Sequence, residues 1–458
     1  MENQTRDEQS KRSLRLIYRR SVIASFGGGV INPFINIFAA QMGASSVEMG
    51  WVRALEQIST NAAQIPWGLA IDRFRRRVPF IFTGALAHAV LLLPLLYVNT
   101  VQEFVLVVTL IFIFSAMISP ALTSLISDFC GETERGRVFA QLNAMASLGG
   151  IPATMISGYI LYKVGGPVSE MYRIPLILGF LFGVAVAIIA LKIKEGPVGG
   201  GAFTVMGWLE ALRVNRYFKR FCLVSSVQGF FMAMAWPIFT LTTVRVVKAD
   251  MFQISLLSVV ASLTAVVVRR FTGRLADRAG RKPLLIMGRS GIFLVPLVYA
   301  FATSIHELIV VELVIGTMMA SSSVALSAYL LDVSPRGLRG SYMGLYNALY
   351  GGFTFIGSIV GGYLMDFVFS LGLSFQESMR VVYMVSALGR GIGGALYITL
   401  QEPYKYPARF GEELKRMLKE DAERIEKEMK AVDELAEKFR RTEDEDLEWF
   451  EKMSGGKS

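Results

Sequence analysis

Two carboxylic acids lie inside long apolar stretches of the chain, where a charged side chain is costly and therefore usually functional. Glu56 is near the middle of the run 47–69, and Glu312 lies in the run 307–331. Loss of hydration favours the protonated acid, whereas Arg53, three residues before Glu56, favours its carboxylate. Because these effects oppose each other, the sequence predicts Glu56 as the first proton-coupling candidate, with Arg53 as its partner and Glu312 as the second candidate. A purely structural ion pair that fixes its helix is an open alternative.

A short basic segment of turn-forming residues occurs twice, each time between two apolar runs. The second copy contains Gly273, Asp277, Arg278, Gly280 and Arg281. The first copy contains Gly68, Asp72 and Arg73, and it has Arg75 where the second copy has Gly280. An aspartate beside a helix N-terminus gains about 0.3–2 kcal/mol. These aspartates are therefore predicted to latch one conformation without freezing it, with ordinary solvated loop charges as the alternative.

The composition places these segments in a membrane protein. Hydrophobic residues make up 53% of the chain and charged residues only 18%, against about a quarter in soluble domains. Windows of about 20 apolar residues, the length needed to cross a bilayer, occur twelve times. They lie at 21–41, 47–69, 79–98, 104–126, 138–161, 173–193, 219–243, 253–272, 283–303, 307–331, 341–365 and 380–400. The prediction is an all-α polytopic membrane protein with twelve transmembrane helices.

The distribution of charge between the runs predicts the orientation. The loops after the second, fourth and eighth runs are basic, whereas Glu48, Glu103 and Glu307 mark loops without a base on the other side. Because Lys and Arg stay on the cytosolic side, both termini are predicted in the cytosol and the protein in the cytoplasmic membrane. The basic charge then reflects the loops, and no nucleic-acid partner is expected. Cys130 and Cys222 are too few for a disulfide framework and are expected as free thiols.

The two basic segments belong to a repeat that covers the apolar part of the chain. Pro33 and Pro237 are 204 residues apart, and so are Arg135 and Arg339. A repeat of this kind in a membrane protein predicts a doubled helical bundle. The predicted organisation is a cytosolic leader at 1–20, a six-helix bundle at 21–193, a linker with an amphipathic helix at 194–218, a second six-helix bundle at 219–400 and a cytosolic charged helical tail at 401–458.

The tail differs from the body in charge and in pattern. From Gln401 to the end it carries 17 acidic and 13 basic residues, which leaves 20 acidic and 34 basic residues in the body. Apolar residues recur at steps of four and three, which is typical of a coiled-coil seam. The seam consists of Leu418, Ala422, Ile425, Met429, Val432, Ala436 and Phe439. Two interpretations are open: a helix that packs on the protein's own cytosolic face, or a helix for self-association.

The two halves, the basic segment at 273–282, its weaker copy and the Arg-Gly pairs at Arg135 and Arg339 together resemble the major facilitator superfamily. The likeness spans residues 15–400. It implies a solute cavity lined by helices 1, 4, 7 and 10, gates formed by helices 2, 5, 8 and 11, and a rocking motion that exposes the cavity to either side. It also implies that Asp72 meets the start of helix 11 near Arg339, and that Asp277 meets the start of helix 5 near Arg137.

Side chains at helical spacing on these helices face the implied cavity. The candidates are Asn32 and Asn36 on helix 1, Ser115 and Ser119 on helix 4, Gln228, Met232, Trp236 and Phe239 on helix 7, and Ser323 on helix 10. His88 on helix 3 and Arg390 on helix 12 belong to helices that the resemblance places outside the cavity. His88 is therefore expected to be a hydrogen-bonded packing residue, and Glu312 is a candidate partner for Arg390.

The favoured function is secondary transport of a small organic solute, with protons and the lipid bilayer as the other partners. Aromatic and methionine side chains in the implied cavity favour proton-coupled efflux of hydrophobic or amphipathic compounds. A metabolite or sugar uniporter or importer is the alternative, and a non-transporting sensor or membrane enzyme is least favoured. No catalytic motif, metal spacing or ATP-binding signature occurs, so no enzymatic activity, metal or other cofactor is expected. The tail from Gly411 is expected to be dispensable for transport.

Overall fold

The computed structural model describes residues 2–129, 135–195, 208–335, 338–402, 410–423, 426–427 and 429–430. These residues form helices and turns, with no strand among them, which confirms the all-α prediction. The helices that match the twelve predicted crossings are helix 1, Glu2–Gln41; helix 2, Ser46–Asn61 and Gln64–Phe74; helix 3, Val78–Leu92; helix 4, Val101–Ser115 and Ile118–Phe129; helix 5, Arg135–Val164; helix 6, Arg173–Leu191; helix 7, Arg216–Met234 and Trp236–Leu241; helix 8, Met251–Ala279; helix 9, Lys282–Gly291 and Leu294–Phe301; helix 10, Ile305–Val333; helix 11, Arg339–Ser370; and helix 12, Phe375–Leu396.

Helix 2 is the crossing that departs from the hydropathy pattern. In the described part of the chain, eleven helical segments have the length and apolar composition of a membrane span. Helix 2 is not among them, because its first segment carries polar and charged residues, including Arg53 and Glu56. A crossing of this composition has to direct its polar side chains into the protein or a water-filled cavity.

Two boundaries of the predicted units differ from the helix ends in the structure. Helix 1 begins at Glu2 and so includes the predicted leader, and Ile17 within that stretch is fully buried. The linker contains a short helix, Trp208–Val214, and helix 7 begins just after it at Arg216. Asn215 separates the two helices because its side chain accepts a hydrogen bond from the Phe218 amide and caps helix 7.

Four helices are interrupted near mid-length, and a proline accounts for each interruption. Helices 2, 4 and 9 break at Ala62, Ala116 and Ile292, each four residues before a proline. Helix 7 breaks at Ala235, two residues before Pro237. Proline lacks the amide that would bond to the carbonyl four residues earlier. Each break therefore frees main-chain acceptors inside the protein, and other donors have to satisfy them.

Four helices start on one face of the protein with the same capping arrangement. In helices 2, 4, 8 and 12 the cap side chain accepts the amide of the third helical residue, and a Glu or Gln there accepts the cap's own amide. The pairs are Ser45 with Glu48, Thr100 with Glu103, Asp250 with Gln253, and Ser374 with Glu377. Helix 10 starts in a similar way, because Glu307 accepts the amides of Thr303 and Ser304. The three acids that mark base-free loops, Glu48, Glu103 and Glu307, are thus all at helix caps. We call this the cap face, and the face with the loops at 73–77 and 274–282 the basic face.

The two halves touch near the cap face and part toward the basic face. Gly158 of helix 5 packs on Ser255 of helix 8, and Gly50 of helix 2 packs on helix 11, with no room for a side chain at either glycine. About four turns nearer the basic face, on nearly the same sides of helices 5 and 8, Ala144 and Arg269 are exposed. The protein is therefore open toward the basic face.

The first part of the tail forms a helix at 410–423 that packs on the C-terminal half. Met417 is 1% exposed, and Phe410 and Leu414 pack with it against the core of that half. Leu418 and Met429 of the predicted seam are 56% and 62% exposed. The packed face is therefore Phe410, Leu414 and Met417, rather than the seam. The seam residues Ile425, Val432, Ala436 and Phe439 lie outside the described residues.

Candidate functional site

A cavity of about 350 Å³ lies within the N-terminal half, between helices 1 to 4. Its lining residues are Asn32, Ile35 and Asn36 from helix 1, Glu56, Thr60 and Gln64 from helix 2, His88 from helix 3, and Phe112, Ser115, Ala116 and Ser119 from helix 4. Eight of these eleven side chains carry a polar group. The cavity therefore brings together Glu56 and the four N-terminal candidates Asn32, Asn36, Ser115 and Ser119.

The interruptions of helices 2 and 4 shape this cavity. The break at Ala62 lies between Thr60 and Gln64, and the break at Ala116 lies beside Ser115. Near the first break, Gln64 Nε2 donates to the Thr60 carbonyl at 2.6 Å, and Thr60 Oγ1 donates to the Glu56 carbonyl at 2.6 Å. These side chains satisfy acceptors at the end of the first segment of helix 2. The same residues thus stabilise the break and line the cavity.

Arg53 and Glu56 form the ion pair that their spacing predicts. Arg53 Nη1 lies 3.1 Å from Glu56 Oε2, and the two side chains are 25% and 22% exposed. Arg53 Nη2 also lies 3.4 Å from Thr240 Oγ1 on helix 7, in the other half. Glu56 faces the cavity, while its partner reaches across the interface between the halves. The charge balance at Glu56 is therefore sensitive to how the halves sit against each other.

His88 is hydrogen-bonded, as expected, but it lies at the cavity and not outside it. Its Nδ1 is 2.8 Å from Ser115 Oγ, so the ring and the hydroxyl form one hydrogen-bonded pair. Helix 3 contributes to the cavity wall because it packs beside helix 4. Helix 3 was not among the cavity helices that the resemblance implied. The sequence contained one indication that His88 could be functional. It is one of only two histidines in the chain, and it lies within an apolar run.

The predicted cavity residues of the C-terminal half do not line this cavity. Gln228 is fully buried and donates to the Arg289 carbonyl at 2.6 Å, and Met232 is 4% exposed. The Phe239 ring packs against Tyr299, with 4.4 Å between centroids. Trp236 is partly buried beside the same apolar cluster. Ser323 Oγ donates to the Ala320 carbonyl of its own helix at 3.0 Å.

Arg390 and Glu312 lie in the C-terminal half, away from the lining of the cavity. Arg390 is 1% exposed and donates to the carbonyls of Met232 at 2.8 Å and Ile292 at 3.2 Å. These acceptors lie at the breaks of helices 7 and 9, so the guanidinium compensates the lost main-chain bonds. Its other face lies over the Phe239 ring at 5.4 Å. The buried guanidinium of Arg390 is thus stabilised by main-chain carbonyls and an aromatic ring, and not by the predicted partner Glu312.

The predicted latch residues on helix 8 are engaged on the basic face of their own half. Asp277 is 76% exposed and pairs with Arg281 at 3.2 Å, and Arg281 is 3.4 Å from Asp332. Arg278 pairs with Glu413 of the tail helix at 2.9 Å. Gly280 has a φ of 96°, in the left-handed region that favours glycine. Gly273 has open space around it.

The N-terminal copy of the segment adopts a similar turn without the glycine. Arg75 takes a φ of 52°, at a cost of about 1–2 kcal/mol for a residue with a side chain. Asp72, Arg73 and Arg339 are exposed, and Gly68 has open space around it. The side chain of Arg137, the predicted partner of Asp277, lies outside the described residues.

Two further acids anchor the basic loops, and sequence reasoning missed them. Glu195 Oε1 accepts the amides of Arg77 at 3.0 Å and Val78 at 2.6 Å, at the start of helix 3. Glu402 Oε1 accepts the amide of Lys282 at 2.7 Å, at the start of helix 9. Burial raises the pKa of Glu402 above its ordinary value, while the amide bonds act in the opposite direction. Within the residues that the structure describes, no cluster of His, Cys, Asp or Glu could hold a metal ion.

Comparisons with known proteins agree with this architecture. The sequence model of the Major Facilitator Superfamily matches residues 21–347 and 221–441. An uncharacterized MFS-type transporter of Methanocaldococcus jannaschii is 24% identical over 390 residues, which cover 82% of this chain and 96% of the relative. The tetracycline resistance protein, class H, of Pasteurella multocida is 31% identical over 116 residues, 25% of this chain and 29% of the relative.

The crystal structure of the nucleoside transporter NupG has a TM-score of 0.68 to this protein at 14% identity, covering 85% of this chain and 98% of that one. A likeness at this identity concerns the fold, and it fits the twelve-helix arrangement described above. Because the family model covers most of the chain, the protein belongs to the Major Facilitator Superfamily.

Proposed function

We propose that the protein is a proton-coupled secondary transporter that moves a small polar solute by alternating access, with Glu56 as the coupling group. The supporting observation is the Arg53–Glu56 pair, in which Glu56 faces the cavity while Arg53 reaches Thr240 of the other half. Rocking of one half against the other would alter the Arg53–Thr240 contact and the stabilisation of the carboxylate. Glu56 then binds its proton more tightly in one conformation than in the other, as coupled transport requires.

The cavity lining favours a polar solute over the hydrophobic compound that the sequence suggested. Eight of the eleven lining residues carry an amide, hydroxyl, imidazole or carboxyl group, and such groups fix the orientation of solutes that carry hydroxyl or amide groups. Of the side chains on which the efflux hypothesis rested, Met232 and Phe239 are packed in the C-terminal half, whereas Met319 is 37% exposed. A hydroxylated or amide-bearing metabolite is therefore the proposed solute class.

Export of an amphipathic compound is the second candidate. It is favoured by the similarity of a quarter of the chain to a tetracycline resistance protein. Ile35 and Phe112 also give the cavity an apolar wall. A ring system with several polar substituents could use both kinds of surface.

The proposed setting is the cytoplasmic membrane, with the basic face and both termini in the cytosol. The arginines at 73–77 and 274–281 lie on this face, and positively charged loops remain cytosolic. The open side of the protein then faces the cytosol. Protons, the solute and the bilayer are the proposed partners, and self-association through the exposed seam is a further proposal.

Solute flux in proteoliposomes tests the function. Purified protein is reconstituted, and counterflow of labelled sugars, nucleosides, amino acids and hydrophobic drugs is measured with and without a pH gradient. We expect exchange of a polar solute without a gradient and its accumulation only when the gradient is imposed. Flux restricted to hydrophobic drugs would support the second candidate, and accumulation independent of the gradient would contradict proton coupling.

A further inference from the structure

The acidic tail helix at 410–423 sits on the basic C-terminal end of helix 8. Arg278 Nη1 lies 2.9 Å from Glu413 Oε1 and 4.0 Å from Glu420 Oε2. Arg274 Nη2 lies 3.1 Å from Asp421 Oδ2. Two arginines in the last turns of helix 8 are thus paired with three acids of the tail.

This docking combines apolar burial with charge pairs. Met417 is 1% exposed and Glu413 is 5% exposed, so this side of the tail helix is covered by the protein. The core beneath it includes Ala211 of the linker helix and Tyr342 of helix 11. The arginine side chains remain 48% and 45% exposed for Arg274 and Arg278, so their charge pairs are accessible to salt.

The opposite net charges of the body and the tail affect how the basic face can close. The body of the chain carries 34 basic and 20 acidic residues, whereas the tail carries 17 acidic and 13 basic residues. On the basic face, Arg73, Arg75 and Arg76 of the N-terminal half are exposed. Closing that face brings these arginines toward the basic loop of the C-terminal half, and like charges at close range repel. Acids that neutralise Arg274 and Arg278 reduce this repulsion.

We propose that the tail helix is a tethered electrostatic shield that allows the basic face to close. When it is docked, Glu413 and Asp421 neutralise Arg278 and Arg274, and the two halves can approach each other. When it is absent, the uncompensated arginines hold the protein open toward the basic face and slow the transport cycle, contrary to the expectation that the tail from Gly411 is dispensable. The proposal concerns regulation of the proposed transport function, but the conformational change can be measured without a solute.

The test compares full-length protein with a chain truncated after Tyr406. The truncated chain retains Glu402, which accepts the Lys282 amide at the start of helix 9. Spin labels at Phe74→Cys and Leu338→Cys, which are 67% and 52% exposed, report the distance across the basic face. Cys130→Ser and Cys222→Ser remove the native thiols. Distances are recorded at low salt, where the Debye length is about 30 Å, and at about 1 M salt, where it is about 3 Å.

At low salt we expect truncation to lower the closed-to-open ratio about fivefold, the scale of two partly exposed ion pairs. At high salt the truncated and full-length proteins should agree. The double variant Glu413→Gln/Asp421→Asn should behave like the truncation. Its control is Glu426→Gln, because Glu426 pairs with Lys430 inside the tail at 2.8 Å and leaves the loop untouched.

Adding Arg274→Gln to the truncated chain should restore part of the closed population, because it lowers the charge that the tail had neutralised. An effect of truncation that persists at high salt would mean that the tail acts through packing, and would overturn the proposal. Equal closed-to-open ratios for the truncated and full-length proteins at low salt would also overturn the proposal. Normal distances with no solute flux in any assay would instead count against the proposed function alone.

Discussion

The N-terminal half holds a cavity lined mostly by polar residues, whereas Met232, Trp236 and Phe239, the candidates on helix 7 of the C-terminal half, pack in an apolar cluster. At the repeat spacing of 204 residues, Asn32 corresponds to Trp236 and Ser115 corresponds to Met319. Small polar groups on one side are thus matched by large apolar groups on the other. The buried guanidinium of Arg390 fills further space and bonds to main-chain carbonyls.

The difference shows how one helical framework can serve two purposes. Both halves contain helices broken near proline, and both must satisfy the carbonyls that the breaks release. In helix 2, neutral side chains such as Gln64 do this locally and remain at the cavity. In the C-terminal half, Arg390 ties helices 7, 9 and 12 together. We infer that the N-terminal half supplies the solute site and that the C-terminal half moves as a rigid body.

The largest effect is expected for Arg390→Met. Removing the guanidinium leaves the Met232 and Ile292 carbonyls without their donor, so we expect a loss of about 3 kcal/mol or more in stability. Thermal unfolding in detergent measures it. Arg339→Met, at an exposed arginine, is the control and should change the unfolding temperature little. Equal unfolding temperatures for the two variants would contradict the inference that Arg390 stabilises the C-terminal half.

Glu56→Gln should uncouple transport from protons without abolishing it. Counterflow needs no net proton movement and should continue, while pH-driven accumulation should fall to the level of protein-free liposomes. Glu312→Gln, in the packed half, should accumulate the solute normally. If accumulation persists in Glu56→Gln but disappears in Glu312→Gln, coupling belongs to the C-terminal half and Arg53–Glu56 is a structural pair.

Much of the fold could be predicted from the sequence, because its signals are local. Apolar runs of the right length and the repeat predicted the helices, and the three-residue spacing predicted the Arg53–Glu56 pair. The packing of Phe239 on Tyr299 and Arg390 could not be predicted, because it depends on how separate helices meet. The seam at Leu418 was a real heptad pattern, but burial of Met417 selects the neighbouring face for packing.

Substitutions of two serines at equivalent positions allow a finer comparison of the halves. Ser119 lines the cavity, and Ser323, 204 residues later, bonds to a carbonyl of its own helix. Loss of one hydrogen bond to the solute is worth about 0.5–1.5 kcal/mol, so Ser119→Ala should weaken apparent affinity in counterflow by about 2- to 12-fold. Ser323→Ala should leave affinity unchanged. A loss of affinity in Ser323→Ala would extend the solute site into the C-terminal half.

The smallest effect is expected for Asp277→Asn. Its carboxylate is 76% exposed and pairs with Arg281, so its removal should change the conformational balance by only about 0.3–1 kcal/mol. Spin-label distances across the basic face measure the change, and Asp72→Asn tests the N-terminal copy. Unchanged distance distributions in both variants would show that neither aspartate acts as a latch.

The claim that the solute binds in the N-terminal half is tested most directly by protection of introduced cysteines. Ser115→Cys and Met319→Cys place a thiol at equivalent positions of the two halves, in a chain that also carries Cys130→Ser and Cys222→Ser. The rate of modification by a small maleimide is measured with and without a transported solute. The account predicts that the solute slows modification at Ser115→Cys and leaves Met319→Cys unaffected. Protection at Met319→Cys with none at Ser115→Cys would contradict it.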